Sequence, residues 1–251
     1  MGQPDDLADA DPGLGGGLDA APSGFDADPL LPDASTSASD AAPAGLATVS
    51  WNGRTWAWDT NATNSGYPRF NGSEAILTPN EAYKSAAILL TTPVSPPFTV
   101  EFDYLTYDTD GCQGSLCTYN SADGIVFMFG KDMTAYETVD PPVGAWRGFV
   151  SGSGVGVHFE LYGDRAIVVR DSFGDVLAYQ YTETYFSSWR HVYIDVQPYT
   201  IDVYAGSPLV LAVHFQRATP ITTVNHTLGF GAATGTASAA EHRIRNVVVS
   251  F

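Results

Sequence analysis

Residues 98–104 read Phe98-Thr99-Val100-Glu101-Phe102-Asp103-Tyr104, an unbroken alternation of large apolar and polar side chains. In an extended chain successive side chains point to opposite faces, so Phe98, Val100, Phe102 and Tyr104 share one side and Thr99, Glu101 and Asp103 the other. A helix would scatter the four apolar groups around its circumference. A strand with one face on a core and one in water collects them. The same period of two recurs in Val155, Val157, Phe159 and Leu161, in Val192, Ile194 and Val196, and in Ile201 and Val203. Residues 124–129 and 209–215 are more continuously apolar, which predicts strands covered on both faces. Residues 81–90 are the one candidate for a helix, and a strand is the better reading there. Many short strands broken by Gly, Pro, Asn and Asp predict an all-β sandwich or barrel. Residues 49–51 and 247–251 also read as strands, which predicts chain ends on adjacent strands.

Residues 1–46 differ sharply from this. They hold nine aspartates and no Lys, Arg, Glu, His or Cys, the remainder being nearly all Ala, Gly, Pro, Ser and Leu. Such a segment cannot bury enough apolar surface to offset its ordering entropy. It predicts a disordered, self-repelling spacer ahead of a module at 47–251; a solubilising leader is the alternative. Over the whole chain 11 basic residues stand against 28 acidic ones, a net charge of −17, and Lys84 and Lys131 are the only lysines. That balance argues against nucleic acid and anionic membrane surfaces, because the electrostatic term repels a polyanion. No run of 18 apolar residues suggests membrane insertion. The first residues, Met1 to Asp6, carry neither the basic nor the apolar part of a signal peptide. A spacer of this kind often separates a surface anchor from a folded module. An extracellular or cell-surface location is therefore expected, with the export signal outside this chain.

Cys112 and Cys117 lie in a stretch rich in Gly, Ser and Thr. Two thiols without a nearby His make a poor zinc site. A local disulfide closing the loop is expected, contributing about 2 kcal/mol and implying an oxidising compartment; two free thiols are the alternative. Gly-x-Ser-x-Gly, His-Glu-x-x-His and the P-loop are all missing. Glu101 and Asp103 alternate as paired carboxylates do in laminarinase-like glycosidases, but the third acid of that pattern falls at Leu105. Residues 106–117 have a calcium-loop outline with Thr106 and Cys117 at the first and twelfth ligand positions, so a polar turn is expected there.

The informative residues are Ser121-Ala122-Asp123-Gly124-Ile125-Val126-Phe127, then Gly144-Ala145-Trp146-Arg147-Gly148-Phe149, the strand from Val155 to Tyr162, the strand from Trp189 to Val196, and Leu228-Gly229-Phe230-Gly231-Ala232-Ala233-Thr234-Gly235 with the closing strand. In that order and spacing the chain, from about residue 47 to its end, resembles the L-type (legume-type) lectins, including their bacterial and archaeal members. The resemblance implies a jelly-roll β-sandwich and a non-enzymatic module that binds a glycan or glycoprotein. It makes Asp123 the sugar-binding carboxylate, which accepts hydrogen bonds from two adjacent hydroxyls, and it makes the Ala122–Asp123 bond cis. Gly144 and Ala145 fall in a loop whose backbone N–H binds sugar, Trp146 where an aromatic ring stacks on it, and Thr236 and Ala237 in the last loop with backbone donors.

The metal strand departs from the family pattern. It reads Val157-His158-Phe159-Glu160-Leu161-Tyr162-Gly163-Asp164-Arg165, so His158 replaces the first metal acid and Glu160 lengthens the second. The asparagine that contacts both calcium and sugar has no clear counterpart. Glu160, the Tyr162 carbonyl and Asp164 remain a candidate set for one calcium ion, with Asp164 also beside the sugar. A salt bridge from Arg165 to Asp164 is the alternative source of positive charge. Three functions compete: an extracellular carbohydrate-binding module, a structural or adhesive surface protein with a degenerate sugar site, and a glycoside hydrolase on the same sandwich. Legume-type relatives often pair through the back sheet, so a homo-oligomer is also open.

Overall fold

A computed structural model describes residues 46–59, 67–82, 84–107, 124–131, 153–161, 166–171, 174–181, 188–221, 225–234 and 240–251. The chain divides into two units, Met1–Asp40 and Ala41–Phe251, and every described residue belongs to the second. Among these residues there is no helix, and so none that is long and apolar enough to cross a membrane.

Among the described residues fifteen strands form two antiparallel sheets. One sheet has eight strands in the order β1 (Leu46–Trp51), β2 (Arg54–Asp59), β5 (Ser85–Leu90), β14 (Thr227–Ala233), β7 (Gly124–Lys131), β8 (Ser153–Glu160), β9 (Ala166–Asp171) and β10 (Val176–Tyr181). The other has seven, in the order β13 (Val210–Gln216), β12 (Thr200–Ala205), β11 (Arg190–Val196), β6 (Phe98–Tyr107), β15 (Glu241–Ser250), β4 (Glu74–Thr78) and β3 (Arg69–Asn71). The crossovers between sheets are those of a jelly-roll sandwich. The candidate helix at residues 81–90 is a turn followed by strand β5.

Alternation places the core where the sequence expects it. Phe98, Val100, Phe102 and Tyr104 of β6 are all buried, and Ile125, Phe127 and Phe129 of β7 meet them from the opposite sheet. Their rings interlock edge to face across the sandwich: Phe102 on Phe230 at 4.9 Å, Phe102 on Phe159 at 6.0 Å and Phe98 on Phe129 at 5.3 Å. This geometry sets the positive edge of one ring against the negative face of the next, beyond the area buried. Asn246, at φ +54°, lies where the β15–β6 register slips between Arg245 and Val248. That extra residue changes the parity of β15, so Ile244 and Val247 both face inward.

The hairpin of β1 and β2 turns on Asn52 and Gly53, both at positive φ, as a two-residue loop in a right-twisted ribbon requires. It delivers Trp51 and Trp56 to one end of the core, their ring centroids 5.9 Å apart. Phe70 of β3, in the other sheet, completes the cluster at 5.7 Å from Trp51 and 5.4 Å from Trp58.

Two expectations are corrected. Residues 209–215 are not covered on both faces: β13 is an edge strand, Val210 and Leu211 are 61% and 48% exposed, and Val213 is buried. The two ends of the module are not on neighbouring strands either, because β1 and β15 belong to different sheets. What joins them is Arg54, whose Nη2 donates to the Val249 carbonyl at 3.0 Å while its guanidinium lies 4.9 Å from the Phe251 ring centroid.

Candidate functional site

Gly124 opens β7 at φ +145°, a conformation L side chains rarely adopt. A Cβ there would lie 2.2 Å from the Phe159 carbonyl oxygen, so only glycine fits. The close approach locks the start of β7 against the end of β8. Gly124 is paired with Glu160 on one side and Ala233 on the other, Ala233 with Ser85, and Glu160 with Ala166. One rim therefore gathers the starts of β5, β7 and β9 and the ends of β8 and β14. Thr234 pins the end of β14: its N–H donates to the Lys84 carbonyl at 2.8 Å, its hydroxyl donates to the Glu81 carbonyl at 2.7 Å and accepts from the Lys84 N–H at 2.8 Å. The chain segments that join this rim are residues 108–123, 162–165 and 235–239.

Those segments hold most of the residues the sequence singles out. Asp123, Gly144, Ala145, Trp146, Tyr162, Asp164, Thr236 and Ala237 lie outside the described residues, as do the Ala122–Asp123 bond, Cys112 and Cys117. Glu160 alone of that set is described. Its Oε1 accepts from both Nε and Nη2 of Arg170, each at 2.9 Å, and Arg170 Nη1 donates to the Gly174 carbonyl at 2.9 Å. The two side chains are only 19% and 11% exposed. His158, across from Val126 and Val168, is fully buried, and burial together with the nearby Arg170 charge pushes its imidazole down to about 3. A neutral imidazole and a carboxylate already committed to a guanidinium are a poor start for a calcium site, which needs several free oxygen ligands.

The Glu101 and Asp103 pair is elsewhere. Both stand on the outer face of the seven-stranded sheet, whereas Gly124 belongs to the eight-stranded one. Asp103 accepts from His191 Nδ1 at 2.8 Å, Arg245 Nε at 3.1 Å and Asn246 Nδ2 at 2.9 Å. Glu101 meets His191 Nε2 at 3.1 Å, and Arg245 lies 4.0 Å over the Trp189 ring. Partial burial of Asp103 acts to raise its pKa, but the hydrogen bonds from His191, Asn246 and Arg245 outweigh it and hold the carboxyl below its ordinary value. This is an ion-paired wall, with its carboxylates already taken.

Two further features lie apart from the rim's outer surface. A cavity of about 780 Å³ opens where β7 ends and β8 begins, the far ends of those strands from Gly124 and Glu160; Phe129, Val155, Leu177, Phe215, Ile221 and His226 are among its walls. His242 is buried at the start of β15, its Nδ1 2.6 Å from the Thr78 hydroxyl and its Nε2 without a partner among the described residues. Burial pushes this imidazole, too, down to about 3.

Solved structures share this architecture. The exoplasmic/lumenal domain of VIP36 in its Ca2+/Man-bound form matches with a TM-score of 0.56 at 16% identity, over 72% of this chain and 79% of that one. Basic winged bean lectin with Tn-antigen matches with a TM-score of 0.59 at 15% identity, over 82% and 92%. The fold is the L-type lectin jelly roll. The carbohydrate recognition domain of Emp46p in its potassium-bound form shares the lectin sandwich at a TM-score of 0.52 and 13% identity, over 72% and 84%. No protein-family model and no curated protein matches this sequence. Arg170 and the Thr234 clamp escape a reading of the sequence. The one signal for Arg170 is the charged pair Arg170-Asp171 that closes the apolar run Ala166 to Val169.

Proposed function

We propose that this chain is a non-enzymatic carbohydrate-binding module that works outside the cell or at its surface, with its sugar held at the rim around Gly124. The observation that carries the reading is the collision-tight contact of Gly124 with Phe159. Gly124 lies where β7, β8 and β14 meet, and Asp123 is its neighbour in sequence, which supports a site there. A carboxylate there offers two acceptor oxygens to neighbouring hydroxyls of a pyranose, and charge-assisted bonds of that kind are the strong ones. In this reading Thr236 and Ala237 supply backbone donors from the loop after β14, and Asp164 adds a carboxylate. The long segment between β7 and β8 reaches back to the sugar, with Gly144 and Ala145 as further backbone donors and the Trp146 ring on its apolar face. The partner is a glycan or glycoprotein; mannose in VIP36 and Tn-antigen in winged bean lectin support that class. VIP36 also has Ca2+-bound and metal-free forms. The Glu160–Arg170 pair favours a rim that works without the ion.

Glycan-array binding of the wild type against Asp123→Asn, each confirmed folded by near-UV circular dichroism, tests the reading. The substitution keeps the shape and removes the charge, so affinity is expected to fall about ten- to a hundredfold. Equal binding by both overturns Asp123 as the centre of the site. A structural or adhesive surface protein with a decayed sugar site is the second reading, favoured by the loss of an acid at His158; no binding by either protein would leave it standing. Turnover of β-glucans would revive the glycosidase, against which the engaged Glu101 and Asp103 now speak.

A further inference from the structure

We infer that the Arg170 guanidinium takes the place of a structural cation on the outer face of β8 and β9, which makes the module's folding independent of calcium. All three guanidinium nitrogens are used: Nε and Nη2 on Glu160 at the end of β8, and Nη1 on the Gly174 carbonyl beyond β9. The Gly174 turn is itself closed by its N–H on the Asp171 carbonyl at 3.0 Å and by the Asp175 N–H on Asp171 Oδ1 at 2.9 Å. One side chain thus ties β8, β9 and the turn into β10, the bracing that a cation gives by gathering oxygen ligands from neighbouring segments. A planar fork suits this task, because it meets a carboxylate and a carbonyl at once without the ligand count a calcium ion demands.

A dication entering here would have to displace Arg170 from Glu160 and then sit beside the released positive charge. It would also find an imidazole at 158, two residues before Glu160 on the same strand face, where a second carboxylate would otherwise help. The pair is largely removed from water, so breaking it strands a charge instead of returning it to solvent. This inference concerns stability and stands or falls apart from the sugar reading.

Thermal melting of the full chain in EDTA and in millimolar calcium is the direct test, read by circular dichroism. The wild type is expected to melt at the same temperature in both. Arg170→Gln is expected to lower Tm by about 5 °C or more, since one partner of a mostly buried pair is lost. Arg170→Lys keeps the charge but not the fork and should fall between them. A rise in Tm with calcium in Arg170→Gln alone would be the strongest support, because it frees Glu160 for the ion. If Arg170→Gln does not fold, Glu160→Gln retains an acceptor for the guanidinium; it should fold, melt below the wild type and ignore calcium. Loss of wild-type stability in EDTA, restored by calcium, overturns the inference. So does an Arg170→Gln variant as stable as the wild type.

Discussion

On the outer face of the seven-stranded sheet, Asp103 gathers His191, Arg245 and Asn246 at the protein surface. On the outer face of the eight-stranded sheet, Met128 is fully buried beside Val126 and Leu89. The first sheet is a one-sided wall, with apolar residues against the core and ion pairs against water. The second is covered on both sides through β7, β8 and β9, and the candidate site lies at its rim. A sheet buried on one face can change its outer side chains at small cost. A sheet buried on both faces has no such freedom, and polar groups within it, such as His158 and the Glu160–Arg170 pair, have to be neutral or matched.

The sharpest way to break this contrast is to place the same charge on each face. Met128→Lys is expected to cost about 4 kcal/mol or more, because an ammonium is buried without a partner. Tyr193→Lys, on the outer face of β11, should stay within about 1 kcal/mol. Urea unfolding of both variants decides the matter, and similar losses would mean that the two faces are equivalent. Gly124→Ala tests the rim itself. The added methyl meets the Phe159 carbonyl in a backbone conformation that disfavours any side chain, so about 3 kcal/mol should be lost. Equilibrium unfolding measures it, and a loss as small as that of an ordinary surface change would show that β7 and β8 can part without penalty.

Acid gives the smallest effect at moderate pH and probes the inward-facing histidines. His242 titrates near 3 in the folded chain and near its ordinary 6.5 when unfolded. The unfolded chain therefore binds the extra proton first. The stability tied to this group is complete above about pH 6.5, declines as pH falls toward 3 and is level below that. The slope is about 1.4 kcal/mol per pH unit, or about 2 kcal/mol lost by pH 5. His242→Asn should remove this group's share of the dependence measured by unfolding at stepped pH, leaving the share of His158, which burial holds near the same value.

How far the sequence could be read follows the same division. The alternation in β6, β8 and β11 announces which side chains face inward, because each residue's partner in that decision is two positions away. Whether a strand sits at an edge is not local. Residues 209–215 look like a covered strand, yet among the described residues β13 pairs with β12 alone, leaving Val210 and Leu211 in water. Nor does alternation say which sheet a strand joins, and so the two ends of the module could be misplaced. At the site, the glycine of Ala122-Asp123-Gly124 is legible because a backbone collision demands it. The Glu160–Arg170 pair is not: the two residues are ten apart and meet only because the β8–β9 register brings them onto one face. A composition scan sees an acid and a base in two apolar strands and has no means of joining them.

The aromatic knot at the β1–β2 hairpin has an optical consequence. Two indoles 5.9 Å apart and inclined at 61° couple their electronic transitions, giving a paired circular-dichroism band whose sign and size depend on that geometry. Because Phe70 of the opposite sheet wedges against Trp51, the band reports whether the two sheets are docked. Trp189, beneath the Arg245 guanidinium on the other wall, emits from a different surrounding. The protein thus carries its own two-channel spectrometer, able to separate a collapse of the sandwich from a change confined to one face.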